Sequence, residues 1–70
     1  MKTLIINGAE KQLPAGQLPE TLAELLLQFD IEETMVVAEV DGQIVERNKF
    51  AQTLLSKCQR IELWRLMVGG

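Results

Sequence analysis

Histidine is absent from the 70 residues, and cysteine occurs once, at Cys58. Without histidine the chain lacks the most common general base and the most common metal ligand. A single cysteine can form no intramolecular disulfide, and it cannot supply the ligand set of a zinc site or an iron–sulfur cluster. These absences argue against an enzyme, and we expect the chain itself to hold no cofactor and no metal.

Long apolar runs and basic clusters are also missing. Met1-Lys2-Thr3 is followed by only three consecutive apolar residues, far short of a signal-peptide core or of the ~18 residues that a membrane span needs. The formal net charge is −3, and no basic stripe typical of nucleic-acid binding is visible. Together with the lone cysteine, these features predict a cytoplasmic protein that binds neither membranes nor nucleic acids.

What the chain does contain is a globular composition, with 47% hydrophobic and 24% charged residues. Seventy residues suffice for one small core, so we expect a single domain over 1–70. No linker, repeat or low-complexity segment divides it. The last two residues, Gly69-Gly70, are expected to form a flexible tail.

The N-terminal residues predict a β-hairpin. The segment from Lys2 to Asn7 alternates, with Leu4 and Ile6 on one side. Asn7-Gly8 is a strong turn signal because both residue types tolerate positive φ. A second strand is therefore predicted from about Glu10 to Leu13.

A helix is predicted to follow, with Pro19 at its first position and Leu18 at its boundary. Its core-facing stripe falls at helical spacing. The residues of this stripe are Leu22, Leu25, Leu26 and Phe29.

The second half predicts three more strands. The segment from Met35 to Val40 is predicted to be a buried strand, and Asp41-Gly42 predicts a tight turn into a strand around Ile44-Val45. A last strand is predicted from Ile61 to Met67. A short helical turn over the core should precede that strand, and the residues that suggest it are Phe50, Leu54 and Leu55.

The element order β-β-α-β-β-(short helix)-β is typical of an α+β fold with one helix on a mixed sheet of four to five strands. The first and last strands are expected side by side and parallel at the sheet centre. This order is that of the β-grasp, or ubiquitin-like, fold.

With its terminal Gly-Gly, the chain resembles the ThiS-type sulfur carriers of thiamin (thiazole) biosynthesis. Asn7-Gly8, Ala15-Gly16 and the leucine-rich helix resemble the family's N-terminal half, and residues 38–47 resemble its central hairpin. Residues 60–63 and 67–70 resemble its last strand and tail. The chain departs from the family pattern at Glu46, where proline is usual, and at Phe50, where tryptophan is common.

The resemblance implies chemistry at Gly70, whose carboxylate would be adenylated by a ThiF-like enzyme using ATP. A persulfide sulfur donor would then convert the adenylate to a thiocarboxylate, and thiazole synthase would accept the sulfur. Gly69 would thread the tail into the activating enzyme because it has no Cβ. The protein would be a cosubstrate rather than an enzyme, and a monomer when free.

Two other classes of protein use the same kind of tail. One comprises the small subunit of molybdopterin synthase and other thiocarboxylate carriers, and the other comprises ubiquitin-like protein modifiers that form isopeptide bonds. A frayed end without function would also leave Gly69-Gly70 exposed.

The strand that leads into the tail offers a docking surface. Alternation places Ile61 and Leu63 on one face, so that the residues between and after them point away from the helix. Docking onto partner proteins is therefore predicted for Trp64, Leu66 and Val68, because aromatic residues are enriched at interface hot spots. The alternative is a bulge that turns Trp64 into the core. Cys58 is interpreted as a bystander thiol, since no histidine activates it.

Overall fold

The computed structural model describes residues 2–14, 16 and 18–66, which form five strands and one α-helix. The predicted order of elements is confirmed. Short 3-10 turns occupy Glu33–Met35, Arg47–Gln52 and Leu55–Lys57. The strands and the helix are β1 Lys2–Ile6, β2 Ala9–Leu13, α1 Leu22–Gln28, β3 Val36–Val40, β4 Gln43–Val45 and β5 Arg60–Arg65.

One mixed sheet contains all five strands in the order β2-β1-β5-β3-β4. β5 lies at its centre, parallel to β1 and antiparallel to β3. The predicted pairing of the first and last strands is therefore confirmed. β5 has a hydrogen-bonded neighbour on each side, so the strand that leads to the C-terminal residues is held along both of its edges.

The core lies between α1 and one face of the sheet. Leu22, Leu25 and Leu26 of the helix are at most 1% exposed, and Leu4 and Ile61 of the two central strands are fully buried. Burying a leucine or isoleucine side chain in this way stabilises the fold by about 1.5–3 kcal/mol. The helix is short, and its attachment therefore rests on this leucine face.

The helix begins three residues later than predicted, at Leu22 with Thr21 as its N-cap. Pro19 is not its first residue, because the backbone around residue 20 pairs with another segment. Thr21 forms an isolated antiparallel bridge with Leu54, and the Leu55 N–H donates to the Glu20 carbonyl at 3.0 Å. That extended geometry is incompatible with a helix.

A capping box starts the helix instead. The Glu24 N–H donates to Thr21 Oγ1 at 3.2 Å, and the Thr21 N–H donates to Glu24 Oε2 at 3.2 Å. The two side chains thus satisfy donors that the first turn of a helix leaves without partners.

Phe29 was predicted to belong to the core-facing stripe of the helix. It is instead the C-cap of the helix and is 44% exposed. Asp30 follows with φ +57°, and the Ile31 N–H donates back to the Leu26 carbonyl at 2.9 Å. This is a Schellman motif with aspartate in the left-handed position. It turns the chain away before Phe29 can join the core.

Both predicted hairpin turns are present. Asn7 and Gly8 have φ +51° and +82°, and Asp41 and Gly42 have φ +49° and +89°. Positive φ at both central residues is the geometry that matches the twist of a hairpin. Asn-Gly and Asp-Gly are the pairs that favour it.

The segment from Met35 to Val40 was predicted to be a buried strand, but only part of it is buried. Val36 and Ala38 are buried, whereas Val37 and Glu39 are half-buried because the helix covers only one side of the sheet. In the short-helix region Phe50 and Leu55 are buried as expected.

Leu54, predicted to belong with those two residues, is 40% exposed. The last strand ends at Arg65. Met67, where its end was predicted, lies outside the described residues.

Within the described ranges, no helix has the length and apolar character needed to cross a membrane.

Candidate functional site

The face of the sheet turned away from α1 is not covered by any described element. Side chains that alternate with the core residues of β1, β3, β4 and β5 point to this side. We call it the open face and define it by Ile5, Val37, Glu39, Ile44, Glu62 and Trp64.

Trp64 lies on this open face, outside the core. It is 47% exposed, whereas Ile61 and Leu63 on the same strand face the core cluster. Its partner across the strands is Val37 of β3. The alternative in which a bulge buries Trp64 is therefore not what the structure has. A half-exposed tryptophan beside a valine forms an apolar surface available for contact.

Leu66 marks the place where the chain leaves the sheet. Its N–H donates to the Met35 carbonyl at 2.9 Å, and its side chain is 48% exposed. It lines a shallow groove with Ile31 and Met35 at the end of the helix. Because β5 ends at Arg65, the strand alternation that predicted Leu66 beside Trp64 does not extend to it.

The other three predicted site residues, Val68, Gly69 and Gly70, lie outside the described residues. Their roles in docking, threading and covalent chemistry stay predictions.

Two turn side chains hold β5 in place. Asn7 Oδ1 accepts a hydrogen bond from the Leu63 N–H at 2.7 Å. Asp41 Oδ1 accepts from the N–H groups of Gln59 and Arg60 at 3.1 and 2.9 Å. The two hairpins therefore fix both the start and the middle of the strand that ends beside Trp64.

Charges on the open face are mainly negative. Glu39 and Glu62 are directly opposite one another on β3 and β5, and both are half-buried. By alternation Arg60 also points to this side, as does Glu10, which pairs with Ile5. Three carboxylates and one guanidinium thus share the surface, for a formal charge of −2.

Cys58 is not part of this surface, because its side chain is buried in the core with 4% exposure. Its Sγ donates to the Leu54 carbonyl at 3.2 Å. A thiol packed into the core is poorly placed to receive an acyl group or a persulfide. Among the described residues, no group of three cysteine or carboxylate side chains is arranged to hold a metal ion.

Sequence reasoning missed part of the open face. Val37 and Glu39 were placed in a uniformly buried strand, and Ile44 was given no role. The sequence did contain a signal for an open face. Glu39 lies between Ala38 and Val40, and a strand covered on both faces would have to bury its carboxylate, which is costly.

Comparisons with known proteins agree with this architecture. A family described as the ThiS family matches residues 4–70. The sulfur carrier protein ThiS of Escherichia coli (strain K12) is 31% identical over 67 residues, which cover 96% of this chain and 97% of that protein.

Among solved structures, the thiamine biosynthesis protein (ThiS) from Geobacter metallireducens superposes with a TM-score of 0.75. It is 24% identical, and the match covers 99% of this chain and 100% of the other. This likeness confirms the β-grasp fold. The chain belongs to the ThiS family, as its resemblance to the ThiS-type sulfur carriers predicted.

Proposed function

We propose that this protein carries sulfur as a thiocarboxylate on Gly70 and delivers it to thiazole synthase for thiamin synthesis. The observation that carries the proposal is the position of β5, a central strand that runs to Arg65 and is followed by residues 66–70 with Gly69-Gly70 at their end. The family match includes both glycines, since it extends over residues 4–70. The names of the two relatives, one a sulfur carrier and the other a thiamine biosynthesis protein, support the same assignment.

The first chemical step is activation of the carboxylate. A carboxylate is a poor electrophile because its charge repels nucleophiles and oxide is a poor leaving group. In the active site of a ThiF-like enzyme, a Gly70 oxygen attacks the α-phosphorus of ATP, and pyrophosphate leaves. The product is an acyl-adenylate whose leaving group is AMP.

The second step introduces sulfur. The terminal sulfur of a protein persulfide attacks the acyl carbon and AMP departs, which leaves an acyl disulfide between carrier and donor. A thiol then attacks the donor's sulfur, so that the S–S bond breaks, the donor leaves in a disulfide and the carrier keeps a thiocarboxylate. The phosphoryl group, the nucleophilic sulfur and the reducing thiol all come from the partners, and the carrier contributes one carboxylate, whose carbon is the electrophile once it is adenylated.

Length and residue type suit the tail for delivery into an active site. The four residues after Leu66 span at most about 14 Å when fully extended. Glycine at the last two positions adds no side chain that would widen the segment or restrict its backbone angles. Gly69 serves as the thread, and Gly70 is the modified residue.

Docking of the domain aligns the tail with its target. Trp64 and Leu66 expose apolar surface next to the point where the chain leaves the sheet. Val68 is the residue before Gly69-Gly70 in the sequence. Burying such a surface in the partner releases ordered water and adds affinity near the reacting group. We assign these three residues to the contact with the activating enzyme and with thiazole synthase.

The experiment that tests this function is intact-protein mass spectrometry. The chain, with Gly70 as its last residue, is expressed with a ThiF-like enzyme and a persulfide donor. The expected product is heavier by the difference between one sulfur and one oxygen atom, and a variant that lacks Gly70 should remain unmodified. Carrier joined to lysines of other proteins would instead indicate a protein modifier.

Delivery is tested separately. Purified thiocarboxylated carrier is incubated with thiazole synthase and its other substrates, and loss of sulfur from the carrier is measured together with thiazole formation. Molybdopterin synthesis from the same carrier, without thiazole formation, would contradict the thiamin assignment.

A further inference from the structure

Glu39 and Glu62 face each other across β3 and β5 on the open face. The Cβ atoms of directly opposite residues in antiparallel strands lie about 4.5–5.5 Å apart, and like charges at this spacing destabilise a sheet. Both side chains are half-buried, so water screens their repulsion less than it would at a fully exposed position.

Within the described ranges, neither carboxylate has an ion-pair partner. Arg60 is two residues before Glu62 on the same side of β5, yet it forms no ion pair with Glu62. The two glutamates therefore form an acidic pair on the open face, and a planar guanidinium is the cation whose parallel N–H groups match a carboxylate best.

Apolar groups border this acidic pair. Ile44 of the edge strand β4 is the partner of Glu39 on the side away from Glu62, and 64% of its surface is exposed. Trp64 follows Glu62 by two residues on the same face, next to Val37. A guanidinium bound by the carboxylates would lie beside the indole ring, and an arginine can stack on such a ring as well as pair with a carboxylate.

We propose that Glu39 and Glu62 together form the receptor for an arginine side chain that projects from an apolar surface of the activating enzyme. The inference rests on the proposed function and assigns the residues that select the partner. Charge complementarity favours this occupant over a second copy of the chain, because two open faces of net negative charge would repel one another. Glu39 and Glu62 act as specificity residues and take no part in the chemistry at Gly70.

Steady-state kinetics of adenylation test the proposal. The ThiF-like enzyme is supplied with ATP and increasing carrier at low ionic strength, and pyrophosphate release gives kcat and the KM for the carrier. Glu39→Gln and Glu62→Gln, singly and combined, remove charge but keep side-chain shape. The combined variant is expected to raise KM about tenfold, with kcat within about twofold of the unmodified chain.

A matched control removes two charges elsewhere. Glu20 and Glu33 are exposed and lie on the connections before and after α1. Combining Glu20→Gln with Glu33→Gln gives the same net charge as the test variant, and we expect its KM to stay within about twofold of the unmodified chain. A similar rise in both double variants would indicate general charge attraction and would overturn the specific receptor.

The salt dependence of KM gives a second measurement. Raising ionic strength screens the pair, so the KM of the unmodified carrier should rise toward that of the combined variant, whose own KM should change little. If the unmodified carrier is activated but its KM equals that of the combined variant and does not respond to salt, the arginine receptor is wrong while the proposed function stands. If the unmodified carrier is not activated at all, both are wrong.

Discussion

The side-chain oxygen of Asn7 accepts a hydrogen bond from the Leu63 N–H at 2.7 Å, which joins the first turn of the chain to its last strand. The Asn7 N–H also donates to the Ile61 carbonyl at 2.9 Å. Strand β1 ends at Ile6, so the Asn7 side chain supplies the acceptor that a longer strand would have provided from its backbone. A turn residue thereby extends the parallel pairing that positions the C-terminal strand.

Asn7→Gly should therefore destabilise the protein by about 1–2 kcal/mol, because it leaves the Leu63 N–H without its partner while fitting the positive φ at this position. Asn7→Asp is the control, since it keeps the acceptor oxygen and tolerates the same backbone angle. Urea denaturation measures both. Equal stability of the glycine variant and the unmodified chain would show that the hydrogen bond contributes nothing.

Thr21→Ala should cost about 1 kcal/mol of stability, because it removes the oxygen that accepts from the Glu24 N–H at the start of the helix. Thr21→Ser keeps a hydroxyl at the same place and should be close to the unmodified chain. Thermal denaturation followed by circular dichroism compares the three proteins. A serine variant as unstable as the alanine variant would argue that the threonine methyl group, and not the cap, is responsible.

Asp30→Gly should stabilise the fold by about 0.5–1 kcal/mol. Asp30 has φ +57°, a left-handed conformation that costs a residue with a Cβ about 1–2 kcal/mol and costs glycine little. Part of this gain is offset by the greater freedom of glycine in the unfolded chain. Urea denaturation is again the measurement, with Asp30→Ala as the comparison, and a glycine variant less stable than the alanine variant would contradict the Schellman assignment.

Trp64→Ala should impair activation without unfolding the protein. Since Trp64 is 47% exposed, its loss should change the free energy of unfolding by less than about 1.5 kcal/mol, yet raise the KM for the activating enzyme about tenfold. Leu27→Ala is the control, because Leu27 is 78% exposed on the helix, away from the open face. A Trp64 variant with unchanged KM would remove this residue from the docking surface.

Cys58→Ala should leave thiocarboxylate formation intact. The thiol is buried in the core, so its removal should lower stability by about 1 kcal/mol and leave the mass gain on the C-terminal residue unchanged. Intact mass spectrometry after activation checks this. A folded variant that is adenylated but gains no sulfur would show that Cys58 takes part in sulfur transfer.

Most of the architecture could be predicted because its signals are local. Asn7-Gly8 and Asp41-Gly42 each specify a tight turn through backbone angles that few other residue pairs adopt, and the structure has a hairpin at each. The helix was evident from leucines at helical spacing, which are buried as expected. Burial of that stripe requires a sheet beneath it, and the order of elements then favours the β-grasp arrangement.

The start of the helix was predicted wrongly because a distant segment changes a local preference. Pro19 suits the start of a helix, but pairing of Thr21 with Leu54 keeps that stretch extended until the capping box begins. The preferences of both segments are visible in the sequence, whereas their contact is not.

The sequence by itself determined the element types, the turns and most of the core, because these follow from periodicity and from residue-specific backbone angles. It also supplied the Gly69-Gly70 ending on which the proposed chemistry depends. Only the tertiary structure decided which side chains meet on the open face. Glu39 and Glu62 come from strands far apart in the chain, and their opposition is set by the register between β3 and β5. Such a register depends on long-range packing, since a shift by one residue would turn every side chain to the other face.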